Sequence, residues 1–285
     1  MADPVTLYEM GPRDGLQNEA RLIGTADKIK LVNLLSDCGF CHIEVTSFVS
    51  PKWVPQMADA AEVMAGITRK PGVCYAALTP NLQGYARAIT ARADEVAVFA
   101  SASEGFSQKN INCSIRESLE RFQPVLLSAR TAMIPVRGYV SCVTDCPYDG
   151  PIAPDAVAEV AEALFQMGCY QISLGDTLGA AKPDGIARML DAVLQSVPAS
   201  RLSGHYHDTR GQALLNIAVS LDRGLRVFDS SVGGLGRCPY APGAKGNVAT
   251  EAVAAMLDSR GFDTGLDLDR LADATAFAQS LRRPA

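Results

Sequence analysis

Eight short apolar runs, each followed by a longer segment with helical periodicity, organise this chain of 285 residues. The apolar runs are rich in β-branched residues, and they predict strands at Val5–Met10, His42–Phe48, Val73–Leu78, Glu95–Ala100, Ile134–Cys142, Gln171–Leu174, Leu202–His207 and Val227–Val232. The segments between them predict helices at Ala26–Cys38, Gln56–Gly66, Asn81–Arg92, Ser114–Ala132, Pro154–Met167, Pro183–Ser196, Gly211–Arg223 and Asn247–Ser259. This alternation constrains the fold, because strands that alternate with helices pair in parallel sheets.

Eight strand–helix units in about 250 residues are the number found in a (β/α)8 TIM barrel. We therefore predict an α/β protein in which residues 1–285 form a single TIM-barrel catalytic domain, with an additional C-terminal helix at Asp267–Leu281. A doubly wound open sheet is the alternative, but the Gly-x-Gly-x-x-Gly turn that usually follows its first strand is absent.

Composition and charge argue against a nucleic-acid partner and against a membrane-spanning segment. The net charge of −5 argues against a nucleic-acid-binding protein, and no apolar run approaches the roughly 18 residues of a membrane span. Without a visible secretory signal, the eight cysteines are interpreted as reduced thiols of a cytoplasmic protein. The pair Cys38 and Cys41 has a spacing seen in zinc sites, but no second pair completes it, so both are interpreted as buried small hydrophobes.

Polar residues follow nearly every predicted strand. In a TIM barrel the reacting groups come from the carboxyl ends of the strands and from the loops behind them. Here those ends include Gly11–Glu19, Glu44–Ser47, Gly175–Thr177, His205–Asp208 and the glycine-rich loop from Gly233. The sequence therefore predicts an active site at this end of the barrel.

Two of the chain's three histidines, His205 and His207, are separated by one residue at the end of a predicted strand. On a strand, residues two apart face the same side, so both imidazoles can reach one metal ion. Barrel closure brings Asp14 and Asn247 to neighbouring strand ends, which completes a set of donors suited to Mg²⁺ or Mn²⁺. Two histidines and a carboxylate also describe a non-haem iron site, so an iron oxygenase is kept as an alternative. Taken alone, Asp14 is typical of a turn and Asn247 of a helix cap.

Further charged residues are expected around this metal site. Arg13 has the donor geometry for a carbonyl oxygen that gains negative charge, and Glu44 is either its salt-bridge partner or a catalytic group. Asp176, at the end of the sixth predicted strand, is expected at the same level of the barrel as Glu44. His42 begins its strand at the opposite end and is interpreted as structural.

The loop from Gly233 to Asn247 contains five glycines and two prolines before Asn247. Such a composition permits unusual backbone angles and a change of shape. It matches neither a P-loop nor a dinucleotide fingerprint. Cys238 in this loop is interpreted as an acid, a nucleophile or a buried thiol.

Six stretches together resemble the hydroxymethylglutaryl-CoA lyase family, within the wider group of Claisen-type barrel enzymes. They are Gly11-Pro-Arg-Asp-Gly-Leu-Gln-Asn-Glu19, Glu44-Val-Thr-Ser-Phe-Val-Ser-Pro-Lys-Trp-Val-Pro-Gln56, Lys109-Asn-Ile-Asn-Cys-Ser114, Ser173-Leu-Gly-Asp-Thr177, His205-x-His207-Asp-Thr-Arg-Gly211 and Gly233-Gly-Leu-Gly-x-Cys-Pro-Tyr-Ala241 through Gly246-Asn247. The resemblance covers almost the whole chain. The cysteine-bearing glycine loop narrows it to the lyase branch. Arg237 and Lys245 depart from the family pattern, and both add positive charge that affects which acyl group is expected.

The resemblance implies a role for each matching residue. Asp14, His205, His207 and Asn247 would bind the divalent metal, and Arg13 would hold the thioester oxygen. Glu44 and Asp176 would support or polarise the site, and His205 or Asp14 would act as the base. Cys238 would lie on a mobile loop and protonate the carbanion. The predicted substrate-binding residues are Gln17, Lys109 and Asn110.

The expected reaction is retro-Claisen cleavage of 3-hydroxy-3-methylglutaryl-CoA to acetyl-CoA and acetoacetate. The alternatives are cleavage of a related thioester such as citramalyl-CoA, and a non-catalytic barrel that binds acyl-CoA or metal. A homodimer or higher homo-oligomer is expected, without a nucleic-acid or membrane partner.

Overall fold

The computed structural model describes residues 2–236 and 246–282. Within them, eight parallel strands close into a barrel: β1 Thr6–Glu9, β2 His42–Ser47, β3 Cys74–Leu78, β4 Glu95–Ser101, β5 Val136–Ser141, β6 Gln171–Asp176, β7 Leu202–Tyr206 and β8 Val227–Ser230. Each strand pairs with the next in the sequence, and β8 pairs with β1 to close the ring. The predicted fold is confirmed.

The helices surround the barrel, as the predicted alternation requires. Their bounds are α1 Thr25–Ser36, α2 Ala60–Gly66, α3 Leu82–Thr90, α4 Glu104–Ile111, α5 Ile115–Thr131, α6 Pro154–Met167, α7 Pro183–Val193, α8 Ala213–Asp222, α9 Thr250–Ser259 and α10 Leu268–Ser280. The expected C-terminal helix is α10. Two short strand pairs lie outside the barrel: Asp3–Pro4 with Phe262–Asp263, and Asp145–Cys146 with Gly150–Pro151.

The helix prediction missed one helix and misplaced two starts: the helix predicted from Gln56 begins at Ala60, after a 3-10 turn at Pro55–Met57, and the last barrel helix also begins late. Helix α4 was not predicted; it begins after Ser103, whose hydroxyl accepts the N–H of Phe106 at 3.0 Å and donates to Asp149 at 2.6 Å. The helix predicted to begin at Asn247 begins instead at Thr250. Asn247 is held in an antiparallel bridge with His207, so it does not cap that helix.

The main apolar core lies between the strands and the helices. It contains residues such as Val32, Val96, Leu164 and Ile217, all buried. The barrel interior is different: among the described residues it contains a small apolar cluster that includes Tyr8, Ala76 and Tyr139, beside charged side chains. Apolar burial between the layers stabilises the barrel, while its interior is left to polar groups that need partners.

Two observations concern membrane association and thiols. Among the described residues, no helix combines the length and the apolar character needed to cross a bilayer. Cys38 is buried as predicted, but Cys41 is exposed, so its interpretation as a buried hydrophobe was wrong.

Candidate active site

The turn that carries Arg13 and Asp14 is anchored by Glu9, at the end of β1. One Glu9 oxygen accepts the backbone N–H groups of Gly11 at 2.7 Å and of Val232 at 2.9 Å; the other accepts the Thr250 hydroxyl at 2.7 Å. A Cβ atom at position 11 would lie 2.6 Å from that first oxygen, so the turn requires glycine. Residues Gly11–Gly15 then form a single turn of π-helix, a geometry frequent at functional sites.

Glu9 is fully buried, and it was missed by the sequence analysis. Burial raises its pKa to about 7, although the bonds from Val232, Thr250 and Gly11 oppose that rise. Two of its partners, Val232 and Thr250, are 223 and 241 residues away in the sequence, which is why no local pattern revealed Glu9.

Arg13 is held from two sides. Its Nε donates to Glu44, and its Nη1 donates to Asp14 at 2.6 Å. The third nitrogen, Nη2, makes no hydrogen bond to any residue that the structure describes, although the side chain is only 8% exposed. Burial opposes the charge of Arg13, but Glu44 and Asp14 hold the pKa of the guanidinium above its usual value. The side chain is thus fixed, charged and able to bind one more acceptor.

Asp14, His205 and His207 form a group of potential metal ligands. One ligand atom from each lies within 4.8 Å of the others, and the two imidazole rings are 5.4 Å apart between centroids. His207 Nδ1 is buried and has no hydrogen-bond partner among the described residues. Since a buried polar atom without a partner is costly, this nitrogen indicates a missing ligand. The two imidazoles converge as the strand spacing predicted.

Asn247 completes this group. Its Nδ2 donates to Asp14 Oδ2 at 2.8 Å and to the carbonyl of Leu235 at 3.3 Å. A half-turn of the amide would present Oδ1 to a cation beside Asp14 without moving the backbone. Two imidazoles, a carboxylate and an amide are donors that suit a borderline-to-hard divalent cation. The residues therefore fit the metal that was predicted.

The pKa values of the group reflect burial and mutual charge. Burial would raise the pKa of Asp14, but Arg13 and the two histidines lower it to about 2. Burial lowers the pKa of His207 to about 4, and His205 adds to this effect. His207 is thus a neutral imidazole at pH 7, the form that binds metals.

A second residue that the sequence analysis missed is Asp229, in β8. Its Oδ2 lies 3.0 Å from Nδ1 of His205, and the carboxylate binds Arg137 through contacts of 2.6 and 3.2 Å. The hydroxyls of Ser173 and Ser203 also donate to it, at 2.8 and 3.1 Å. A carboxylate that accepts from one ring nitrogen of a histidine orients the other nitrogen. An acidic residue inside an apolar strand was the available signal.

Tyr139 connects this pair to the Arg13 side of the site. Its hydroxyl accepts from Arg137 Nη1 at 3.0 Å and donates to Glu44 Oε1 at 3.2 Å. Burial raises the pKa of Glu44, while Arg13 opposes that rise. Polar contacts therefore run continuously beneath the barrel mouth, from Asp229 through Arg137, Tyr139 and Glu44 to Arg13.

Of the remaining predicted site residues, Asp176 is buried, Gln17 is partly buried, and Lys109 and Asn110 are exposed. The Asp176 carboxylate accepts the backbone N–H groups of Ala180 at 3.2 Å and of Ala181 at 3.0 Å, and burial raises its pKa to about 6. Its hydrogen bonds within the described residues thus serve the turn after β6. Gln17 has a buried Oε1 without a hydrogen-bond partner among those residues. Lys109 and Asn110 are exposed on α4.

Three residues singled out in the sequence, Cys238, Arg237 and Lys245, lie outside the described residues.

The fold and the mouth define a class of protein: a (β/α)8 barrel with a divalent-metal ligand group beside a buried guanidinium. Comparison with known proteins gives the family. The model of the family described as HMGL-like matches residues 4–277. A Pseudomonas aeruginosa protein named 3-hydroxy-3-isohexenylglutaryl-CoA/hydroxy-methylglutaryl-CoA lyase is 60% identical over 270 residues, which are 95% of this chain and 90% of that protein.

Solved structures agree. The HMG-CoA lyase of Brucella melitensis superposes with a TM-score of 0.99 at 63% identity, over 99% of this chain and all of that one. An HMG-CoA lyase from Acinetobacter baumannii, in complex with coenzyme A and 3-methylmalate, gives a TM-score of 0.93 at 37% identity, over 98% of this chain and 92% of that one. The chain belongs to the HMGL-like family, and the resemblance seen in the sequence is confirmed. Enzymes of this family depend on a divalent metal.

Proposed function

We propose that the protein cleaves 3-hydroxy-3-methylglutaryl-CoA to acetyl-CoA and acetoacetate. The observation that carries this proposal is the position of Arg13. Its Nη2 makes no hydrogen bond to a described residue, while Glu44 and Asp14 hold the rest of the guanidinium. Asp14 is also part of the metal-ligand group, so one turn connects a cation site to an oxygen-binding donor. The names of the P. aeruginosa and B. melitensis relatives support the same reaction.

Asp14, His205, His207 and Asn247 are the residues that would hold the metal, for which we propose Mg²⁺ or Mn²⁺. A divalent cation bound there supplies Lewis-acid polarisation of the substrate's tertiary hydroxyl and lowers its pKa. His205 comes from strand β7, and the other three residues come from the segments that follow β1, β7 and β8. Ligand atoms of Asp14 and the two histidines lie within 4.8 Å of one another, and the Asn247 amide bonds to Asp14 at 2.8 Å. Asp229 keeps His205 in one orientation through its Nδ1.

The hydroxyl proton passes to His205 or to Asp14, the two bases beside the cation. The bond to Asp229 occupies Nδ1 of His205 and leaves Nε2 as the nitrogen that faces Asp14, 3.9 Å from Oδ2. His205 would therefore take the proton only with Nε2 free of the cation, whereas Asp14 would hold the cation with one oxygen and take the proton on the other. The electron pair of the O–H bond forms the new carbonyl of acetoacetate. The carbon–carbon bond then breaks, and its electron pair forms the enolate of acetyl-CoA.

Arg13 stabilises that enolate by donating from Nη2 to the thioester oxygen, a contribution of about 3–4 kcal/mol for a donor of this type. Cys238 gives its proton to the enolate carbon, which yields acetyl-CoA. This role of Cys238 rests on the sequence and on the family resemblance. Asp176, through the turn that its carboxylate stabilises, is proposed to support the site.

The coenzyme A part of the substrate is assigned to the rim of the mouth. Lys109 and Asn110 are exposed on α4, which follows the carboxyl end of β4. Gln17, three residues after Asp14, has a buried acceptor with no partner among the described residues. The bound coenzyme A of the A. baumannii relative supports an acyl-CoA site in this fold. The cytoplasmic location and the homo-oligomer remain predictions.

A second candidate is the same cleavage of a related thioester. The P. aeruginosa relative is named for two substrates that differ in the group on the hydroxyl-bearing carbon. A 3-hydroxy-3-isohexenylglutaryl thioester is therefore a candidate beside the citramalyl-CoA considered from sequence.

One experiment separates these possibilities. The chelated protein is supplied with Mg²⁺ or Mn²⁺ and each thioester under anaerobic conditions, and acetyl-CoA release is measured. We expect release from 3-hydroxy-3-methylglutaryl-CoA, its loss on chelation, and its return with metal. If acetyl-CoA were released only from another thioester, that thioester would be the substrate instead of 3-hydroxy-3-methylglutaryl-CoA. Binding without release would favour the non-catalytic barrel, and anaerobic release with Mg²⁺ would remove the iron oxygenase.

A further inference from the structure

A second group of metal-type donors lies at the opposite end of the barrel from Arg13 and Asp14. His42, Cys74 and Glu95 are the first residues of β2, β3 and β4. His42 pairs with Cys74 across neighbouring strands, and one ligand atom from each of the three residues lies within 4.8 Å of the others. Glu95 is 1% exposed, whereas His42 and Cys74 are half-buried. The group is therefore ordered by the barrel and open to solvent on one side.

Glu95 is fixed by its neighbours. Its Oε1 accepts from the Tyr8 hydroxyl at 2.9 Å, and its Oε2 accepts from the Tyr170 hydroxyl at 2.8 Å. The Cys74 thiol donates to the same Oε2 at 3.7 Å. Because the thiol already contacts the carboxylate, both groups can bind the same ion.

The imidazole of His42 is held in place, but one of its nitrogens lacks a partner among the described residues. Its ring stacks on Tyr8, with centroids 5.1 Å apart and planes 24° from parallel. Its Nδ1 is buried and has no hydrogen-bond partner in the part of the chain that the structure describes. Burial lowers the pKa of His42, and Arg137 contributes to the decrease, so the imidazole is neutral at pH 7. A neutral, oriented imidazole beside a thiol and a carboxylate is arranged as a metal ligand is.

We propose that His42, Cys74 and Glu95 bind a borderline-soft divalent ion of the Zn²⁺ class. Imidazole, thiolate and carboxylate are the three side-chain ligand types of that ion. Bond lengths of about 2.0–2.3 Å place tetrahedral ligand atoms about 3–4 Å apart, so the three residues need to move inward by only about 1 Å. Binding replaces the thiol proton of Cys74, which is released to solvent, and a water molecule takes the fourth position.

The surrounding charges permit this ion. Two cations lie near the group. Arg69 acts on Cys74 and is paired with Asp94 at 2.7 Å, and the guanidinium of Arg137 lies 4.1 Å from the centre of the Tyr8 ring. Its charge is balanced by Asp229 through contacts of 2.6 and 3.2 Å. The site therefore binds its ion beside an already neutralised pair, with the Glu95 carboxyl as an anionic ligand. Burial raises the pKa of Glu95 and of the Cys74 thiol, so the ion competes with protons at both groups. None of its three ligands belongs to the proposed catalytic machinery.

The test uses Co²⁺ as a probe, because a thiolate bound to Co²⁺ gives a charge-transfer band in the near ultraviolet. The full chain carries Cys238→Ser, so that the mouth contributes no thiolate, and Mg²⁺ is present in excess. We expect the band to grow as Co²⁺ is added up to two equivalents, because the mouth residues also take one Co²⁺ but contribute no thiolate band in this variant. Adding Cys74→Ser should abolish it, whereas Cys41→Ser, a matched change at an exposed neighbouring thiol, should leave it unchanged. Absence of the band, or its survival in Cys74→Ser, overturns the proposal.

A second variant guards against misfolding of the first. His42→Phe keeps a ring to stack on Tyr8 and removes only the nitrogens. We expect Zn²⁺ to raise the melting temperature of the parent by more than that of His42→Phe, because both chains keep the Asp14, His205 and His207 group and only the parent has the second site. Zn²⁺ affinity at the second site should fall about tenfold or more in this variant. An equal Zn²⁺ effect in parent and variant overturns the proposal. Because neither readout measures cleavage, the result is independent of the proposed function.

Discussion

Nδ1 of His205 lies 3.0 Å from Oδ2 of Asp229, and the same carboxylate is bound on its other side by Arg137. Both members of the Arg137–Asp229 pair are fully buried, so neither can exchange its partner for water. Asp229 therefore fixes the imidazole from below while leaving Nε2 to face Asp14. The orientation of a metal ligand is set here by a residue that does not itself reach the metal group.

Replacing Asp229 with Asn should weaken the site without emptying it. The amide can keep a hydrogen bond but not the charge that pairs with Arg137, so we expect a 10–100-fold loss in Mn²⁺ affinity or in kcat. Stability should also fall by about 3–5 kcal/mol, because Arg137 is left as a buried unpaired charge. Mn²⁺ titration, steady-state kinetics and urea unfolding measure the three effects.

The matched control for this variant is Asp258→Asn, at an exposed position on α9. It should change neither metal affinity nor kcat. If Asp229→Asn lost stability but bound Mn²⁺ with unchanged affinity in its folded fraction, Asp229 would have no role in orienting His205.

Arg13→Lys should act on turnover more than on substrate binding. Lysine keeps the charge but loses the planar fork that engages Glu44 and Asp14 while leaving Nη2 for the substrate. We expect kcat to fall by about 100- to 1,000-fold with a much smaller change in KM, since the donor acts on charge that develops during cleavage. Arg116→Lys, at an exposed position on α5, is the control. A rise in KM at constant kcat would show that Arg13 serves binding alone.

Gly236→Ala should weaken the metal site through Asn247. Gly236 has a φ of +105°, and a Cβ there would lie 2.7 Å from Asn247 Nδ2. We expect Mn²⁺ affinity to fall by about 10- to 100-fold, together with a backbone cost of about 1–2 kcal/mol.

Gly261→Ala separates the two effects of that substitution. Gly261 has a φ of +80° with no atom within 4 Å of the added Cβ, so it carries the backbone cost without the contact. Its Mn²⁺ affinity should match that of the parent. Equal Mn²⁺ affinities in the two alanine variants would show that Asn247 is not a ligand.

Glu9→Gln should remove a pH dependence of stability. Burial raises the pKa of Glu9 from 4.5 to about 7, so between these values the folded protein binds a proton that the unfolded chain has lost. Stability should therefore fall as the pH rises through this window, with Glu9 contributing up to about 3 kcal/mol to the fall. In Glu9→Gln the fall should be smaller by that amount. Urea unfolding at several pH values between these limits measures it.

Glu62→Gln is the control for that measurement, because Glu62 is an exposed carboxyl on α2. Its stability should follow the pH profile of the parent. The same profile in Glu9→Gln would mean that Glu9 stays ionised in the folded protein throughout the window.

The sequence by itself determined the features that depend on local periodicity. The eight strand–helix units and the shared side of His205 and His207 follow from repeats of about 3.6 and 2 residues, which neighbouring residues express without reference to the rest of the chain. Barrel closure then placed Asp14 beside the two imidazoles. The pairing of Glu44 with Arg13 was one of two interpretations that the sequence allowed.

Only the tertiary structure decided which groups are partners across long separations. Arg137 and Asp229 are 92 residues apart, and Glu9 and Thr250 are 241 apart, so no short pattern could show that they satisfy one another. The start of α9 was mispredicted for the same reason, because Asn247 is held by its bridge to His207 rather than by the helix. Hydrogen bonding is complete only when the barrel has closed, and until then each of these side chains has water as an equally good partner.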